Sequence, residues 1–188
     1  MTLRALLLVP AAALPFLAGC RPSSATDAPA DLAPVAPVVL AASDVEAGRY
    51  LVDVGGCNDC HTAGYMEQGP AVPEAQRLTG MPVGFRGPWG TSYAKNLRLT
   101  VRQLTEDQWV ERLQGSGLPP MPWPSVNALS EDDARAVYRY VRSLGEAGAP
   151  APTAVPPNEE PATPYIDFAP QHLERIVPPT PADTATAS

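Results

Sequence analysis

The chain has 188 residues, 24 of them proline, a formal charge of −7 and 18% charged residues, below the ~25% of ordinary soluble domains. The acidic balance argues against a nucleic-acid binder, which needs a basic face, and no apolar run reaches the ~18 residues of a bilayer-spanning helix. The prolines divide the chain: six precede residue 44, eight fall in 44–148 and ten follow. A compact central part is expected between two segments in which proline, with no backbone donor and a fixed φ, discourages helix and sheet.

In chain order, the first element is a targeting segment. Arg4 precedes the apolar run 5–18, which Pro10 and Pro15 interrupt; this is the length of a signal-peptide core, too short to span. The run closes on Leu17-Ala18-Gly19-Cys20, which resembles the lipobox of bacterial lipoproteins. The resemblance implies cleavage of residues 1–19 and lipidation of Cys20, and several acyl chains give a stable anchor. It also implies export to the periplasmic side, lipid-anchored in a membrane. Arg21 stands where an Asp would favour inner-membrane retention, so the outer membrane is favoured over the inner. An ordinary cleaved signal with a chance Cys is the alternative. Residues 20–43 then read as an Ala/Pro-rich tether, at most ~70 Å long if fully extended as polyproline.

Ser43-Asp44-Val45-Glu46 has the form of a capping box. The helix it opens carries Val45, Leu51, Val52 and Val54 and runs to Gly55-Gly56. Directly after it comes Cys57-Asn58-Asp59-Cys60-His61, and C-x-x-C-H is the attachment signature of c-type haem. Two intervening residues set the sulfurs at the two vinyl positions of one porphyrin edge, and the following His turns its imidazole under the iron. A zinc site needs four ligands, and the chain has one other His, His172, and no second Cys pair. A thioredoxin-like pair needs a βαβ setting, which the pattern does not provide. One covalent haem c is therefore the expected cofactor, held by Cys57 and Cys60 with His61 on the iron.

Residues 62–104 read as a long loop containing Gly-Pro-Trp-Gly at 87–90. Trp89, Tyr93, Lys95 and Asn96 could line a haem edge or be ordinary core residues. Arg86, Lys95, Arg98 and Arg102 could form a basic patch or a solvated face. No alternating strand pattern appears between 44 and 148, and no repeat. Thr105-Glu106-Asp107-Gln108 opens a short helix with Trp109, Val110 and Leu113 toward the core. Met121 follows in Leu118-Pro119-Pro120-Met121-Pro122-Trp123-Pro124. Four prolines make a stiff loop able to hold a thioether in place, whereas a mere gap-filling Met has little use for them. Met121 is the expected sixth ligand, with Met81, His172 and Met66 as alternatives. Ser130 then caps a helix whose three leading acids suit its dipole; Ala134, Val137, Tyr138, Val141 and Leu144 form its apolar stripe. Gly145, Gly148 and Pro150 end it. The tail 149–188 is Pro-rich but carries Tyr165, Ile166, Phe168, Leu173, Ile176 and Val177, unusual for a pure linker. These residues could clamp the domain or dock on a partner, and Pro170 could begin a short helix over 171–177.

Residues 44–148 resemble a class I monohaem cytochrome c domain: N-terminal helix, C-x-x-C-H, loops, middle helix, Met in a Pro-rich loop, C-terminal helix. The segment 104–144 is similar to the cytochrome domains that serve bacterial dehydrogenases and oxidases. The resemblance implies an all-α fold around one covalent haem, with Cys57 and Cys60 as thioether residues, His61 and Met121 as axial ligands, Gly48 letting the first helix cross the last closely, and Tyr140 packed at that crossing. It implies an electron carrier, not an enzyme, whose partners are redox proteins such as a dehydrogenase, oxidase or reductase. The alternative is a haem enzyme or small-ligand sensor, peroxidase-like, with a labile distal ligand.

Overall fold

The computed structural model describes residues 39–175. Cys20, the targeting segment, most of the tether and residues 176–188 lie outside it. Among the described residues no helix is long and apolar enough to cross a membrane.

The first and last helices form the centre of the molecule. Helix α1 (Asp44–Val54) starts where Ser43, in extended conformation, accepts the Glu46 amide on its hydroxyl. Helix α2 (Cys57–His61) follows a left-handed Gly56 with φ 63°. Helix α3 (Tyr65–Gln68) is a single turn. Helix α4 (Leu97–Gln103) is capped by Asn96, α5 (Glu106–Gln114) by a complete capping box between Thr105 and Gln108, and α6 (Trp123–Asn127) begins just after Met121. Helix α7 (Glu131–Ser143) is capped by Ser130, whose hydroxyl accepts the Asp133 amide at 3.1 Å, and ends at Leu144 and left-handed Gly145.

Close approach of α1 to α7 requires a missing side chain. A Cβ on Gly48 would lie 2.0 Å from the Ala136 carbonyl oxygen and 2.8 Å from Tyr140 Cβ. Gly48, Ala136 and Tyr140 therefore meet at the crossing, as the resemblance implied. Helix α7 is buried on a second side too, where Ala134, Val137 and Val141 pack with Trp109, Val110 and Val101. The Trp109 indole donates to the Ala134 carbonyl at 3.0 Å, so this large ring is buried without stranding its polar atom. Each such buried apolar side chain stabilises the fold by about 1.5–3 kcal/mol. Of the α1 residues the pattern selected, Val52 is fully buried and Leu51 partly, whereas Val45 and Val54 are exposed. Ala47, buried, and Gly48, the residue the resemblance puts at the crossing, lie with Val52 on the packed side of α1.

The region 62–104 is more ordered than a loop. Besides α3 and α4 it contains strands β1 (Gly84–Gly87) and β2 (Gly90–Ser92), an antiparallel hairpin. The all-α expectation thus holds for the helical body but not for this addition. The strands escaped the pattern because they have four and three residues and three of those seven are glycine. Arg98 is not part of a solvated basic face either. It is 4% exposed, and its guanidinium donates to the Leu144 carbonyl, to Gly145 O at 2.7 Å and to Ala75 O at 2.9 Å. A cation there satisfies carbonyls at the C-terminal end of α7, where the helix dipole favours it. Arg86 and Arg102 pair with Glu160 and Glu146.

The tail returns to the domain. Strand β3 (Tyr165–Asp167) pairs parallel with β1, giving the order β2-β1-β3. Phe168 packs on Phe85 and Trp89, with ring centroids 5.9 and 6.3 Å apart. The tail thus clamps the domain, one of the two roles its sequence leaves open. The expected helix near Pro170 is a 3₁₀ turn at Leu173–Arg175 within the described residues.

Candidate haem site

The two cysteines and the histidine come together on one turn, because α2 consists of those five residues and nothing else. Its start is set by Gly56, whose left-handed φ suits glycine, and its end by Thr62, whose amide bonds back to Asn58 O at 3.0 Å. Side chains pin the turn further. The Thr62 hydroxyl donates to Asn58 Oδ1 and accepts the Leu78 amide, both at 2.8 Å, and Gly80 N donates to His61 O at 2.8 Å. Asn58 and Thr62 are 1% and 0% exposed, so this buried network is fully paired, which is the condition for such networks to rigidify a site.

His61 is buried, and its Nδ1 lies 2.7 Å from the Lys95 carbonyl oxygen. A carbonyl only accepts, so Nδ1 carries the proton and donates. Burial holds the imidazole below its usual pKa, opposed by this hydrogen bond. The neutral ring keeps its lone pair on Nε2, the form an imidazole needs to ligate a metal, oriented by a backbone acceptor behind it. Lys95 contributes this carbonyl; its side chain is exposed. Cys57 and Cys60 form no disulfide with each other. Burial pushes the Cys57 thiol up to about 11, with Asp59 and Asp53 adding to the shift, and burial also raises Cys60. Among the described residues no three His, Cys, Asp or Glu side chains gather to hold a metal ion; the zinc reading has no support here.

A family model described as Cytochrome c matches residues 45–145. The chain belongs to the cytochrome c family. No curated protein and no solved structure matches it. The family binds covalent haem c, and Cys57 and Cys60 with His61 fit its C-x-x-C-H motif. Domains of this family are in general electron carriers rather than enzymes.

The residues present fit that group. Two cysteines that form no disulfide and a neutral imidazole sit on one turn, and the Trp123 Nε1–H is buried with no acceptor among the described residues. An indole donor beside the Met loop suits the carboxylates that a porphyrin carries. Met121 is half-buried in the turn between α5 and α6. Its loop is secured at both ends. The Ser92 hydroxyl, 8% exposed at the end of β2, donates to Pro119 O at 2.5 Å. On the other side the Trp123 ring lies against Gly117, with the Arg112 guanidinium 4.6 Å from its centre.

Of the alternative ligands, Met81 lies next to the haem turn, since Gly80 N donates to His61 O. Met66 is 71% exposed, and it lines with Met81, Pro82, Val83 and Ile166 a groove of about 500 Å³ beside Asp59 of α2. His172 is exposed in the tail. Trp89 and Tyr93 are structural: the Trp89 indole donates to Phe85 O at 3.3 Å, and the Tyr93 hydroxyl pairs with Thr163 Oγ1 at 2.6 Å. Asn96, 3% exposed, caps α4 and donates to Ala147 O and Ala149 O.

The sequence points to Lys95 as a residue that could line a haem edge but not to its carbonyl as the partner of His61, and nothing in it marks the Ser92 hydroxyl. A carbonyl is common to every residue and leaves no trace in sequence, and a single Ser in a polar stretch has no pattern.

Proposed function

We propose that this cytochrome is an exported, membrane-anchored carrier of single electrons, with one haem linked through Cys57 and Cys60 and ligated by His61 and Met121. The observation that carries the reading is the presentation of His61. A buried neutral imidazole, held through Nδ1 by the Lys95 carbonyl, leaves Nε2 as its donor on the same turn as the two cysteines of the motif. When bound, haem supplies a reversible one-electron couple. The chain's part is to hold the group in a largely apolar fold and to supply a thioether, which favours ferrous iron and raises the potential. Met121 is favoured over Met81 and Met66 because its loop is braced on both sides by Ser92 and Trp123.

Cys20 is proposed as the lipid-bearing residue, with the described domain on the periplasmic side and the outer membrane as its site. Redox proteins of the dehydrogenase, oxidase or reductase class are proposed as partners. Absorption spectra of oxidised and reduced protein, with and without CO, test the carrier reading on wild type and Met121→Leu. Wild type should be low-spin in both states and inert to CO. The variant keeps the apolar volume and loses the donor, so it should bind CO when reduced and have a lower potential. An unchanged spectrum and potential in Met121→Leu would assign the ligand elsewhere. Avid CO binding by wild type would favour an enzyme or sensor. Equal extraction of wild type and Cys20→Ala without detergent would remove the anchor.

A further inference from the structure

The short segment from Ser92 to Lys95 contacts the candidate proximal ligand at one end and, at the other, the loop that carries Met121. At its start the Ser92 hydroxyl holds Pro119 O, two residues before Met121; at its finish the Lys95 carbonyl holds the His61 ring. Three residue steps of extended chain span ~10 Å at most, so the segment is a spacer between the Met loop and the histidine. Its residues are buried except for Lys95.

The tail grips this spacer and the hairpin that leads into it. Thr91 and Val155 exchange both backbone hydrogen bonds, at 2.8 and 2.9 Å. Tyr93, inside the spacer, pairs through its hydroxyl with Thr163. On the far side of the hairpin, Gly84 N donates to Pro164 O at 2.8 Å and Phe168 N to Arg86 O at 2.7 Å. The approach to β2 is tight, since a Cβ on Gly90 would lie 2.2 Å from Val155 O. Residues 155–168 thus form a strap along both edges of the hairpin, and the hairpin's last hydroxyl reaches the Met loop.

We propose that Ser92 is a positioning residue for the distal ligand, and that the C-terminal strap acts through it to keep the Met121 sulfur on the iron. The proposal rests on Met121 being that ligand. The chain of contacts runs Phe168 and Val155 to the hairpin, hairpin to Ser92, Ser92 to Pro119 O. Release of the Pro119 carbonyl frees one end of a loop whose other end stays held by Trp123, so the loop swings without unfolding.

Imidazole binding to the ferric full-length holoprotein reads this directly, because added imidazole competes with Met121 and its apparent affinity scales with the open fraction. Loss of one hydroxyl–carbonyl bond predicts a roughly fivefold tighter apparent affinity for Ser92→Ala. Ser92→Thr, which keeps the hydroxyl, should restore wild-type binding. Phe168→Ala should tighten imidazole binding in the Ser92 background and add nothing once Ser92 is alanine. Wild-type affinity in Ser92→Ala, or an undiminished Phe168→Ala effect without the Ser92 hydroxyl, overturns the proposal. Met121→Leu separates the two readings. If it binds imidazole no more tightly than wild type, Met121 is not the ligand and the function reading fails at that point; if it binds far more tightly while Ser92→Ala does not, only the strap inference falls.

Discussion

Gly48→Ala sets two effects of opposite sign against each other. Alanine is favoured over glycine in a helix interior by ~1 kcal/mol, so an isolated α1 would gain. In the folded protein the new Cβ would lie 2.0 Å from the Ala136 carbonyl oxygen, 2.5 Å from its carbon and 2.8 Å from Tyr140 Cβ. Ordinary contact begins at about 3.4 Å, and two of these atoms are backbone of a helix packed on its other side by Trp109 and Val101. Neither can rotate away, so the helices must part by about 1 Å. A gap of 0.5–1 Å forfeits roughly a quarter to a half of each dispersion contact, and overpacking typically costs about 1–3 kcal/mol. Because the clash is with main chain, the upper end applies, and packing outweighs propensity. The net loss is about 2 kcal/mol, equivalent to roughly 8–16 °C in melting temperature for a domain near 100 residues. Thermal melts of the holoprotein, followed by far-ultraviolet circular dichroism, measure it. A melting temperature equal to or above wild type would refute the close crossing.

Arg98→Met keeps the stem but removes the guanidinium from three carbonyls in a buried place, and should cost about 2–3 kcal/mol in chemical denaturation. A loss below half of that would show water taking over those carbonyls. Trp109→Phe removes the donor to Ala134 O and some ring area; about 1–2 kcal/mol is expected, read from the same denaturation curves. Glu106→Gln disturbs ion pairs with Arg135 and Arg139, but these lie at the surface, where such pairs contribute about 0–1 kcal/mol. Melts in low and high salt should therefore differ little between this variant and wild type, and a loss above ~2 kcal/mol would mean that the cluster acts as a buried network.

Much of this protein is local and legible without coordinates. The C-x-x-C-H turn is five consecutive residues, so its chemistry travels with the sequence. The caps at Ser43, Thr105 and Ser130 are contacts over three residues, and all three open the helices expected of them. The α7 stripe is visible because helical periodicity repeats over thirteen residues. Tertiary structure alone decided the rest. Helix α4 passed as loop, although Asn96 at its cap and the Leu97–Val101 spacing were its signals, because seven residues carry little periodicity. Arg98 looked like a solvent-facing cation; only the arrival of the α7 end, 46 residues away, makes it a buried cap. The hairpin's short glycine-rich strands have no alternation of their own; they pair with each other, and β1 pairs in addition with a tail strand some 80 residues later. The Lys95 carbonyl that orients His61 and the Ser92 hydroxyl that holds the Met loop were invisible for the same reason: hydrogen bonds between distant residues depend on where the chain returns, and no pattern of neighbours records that.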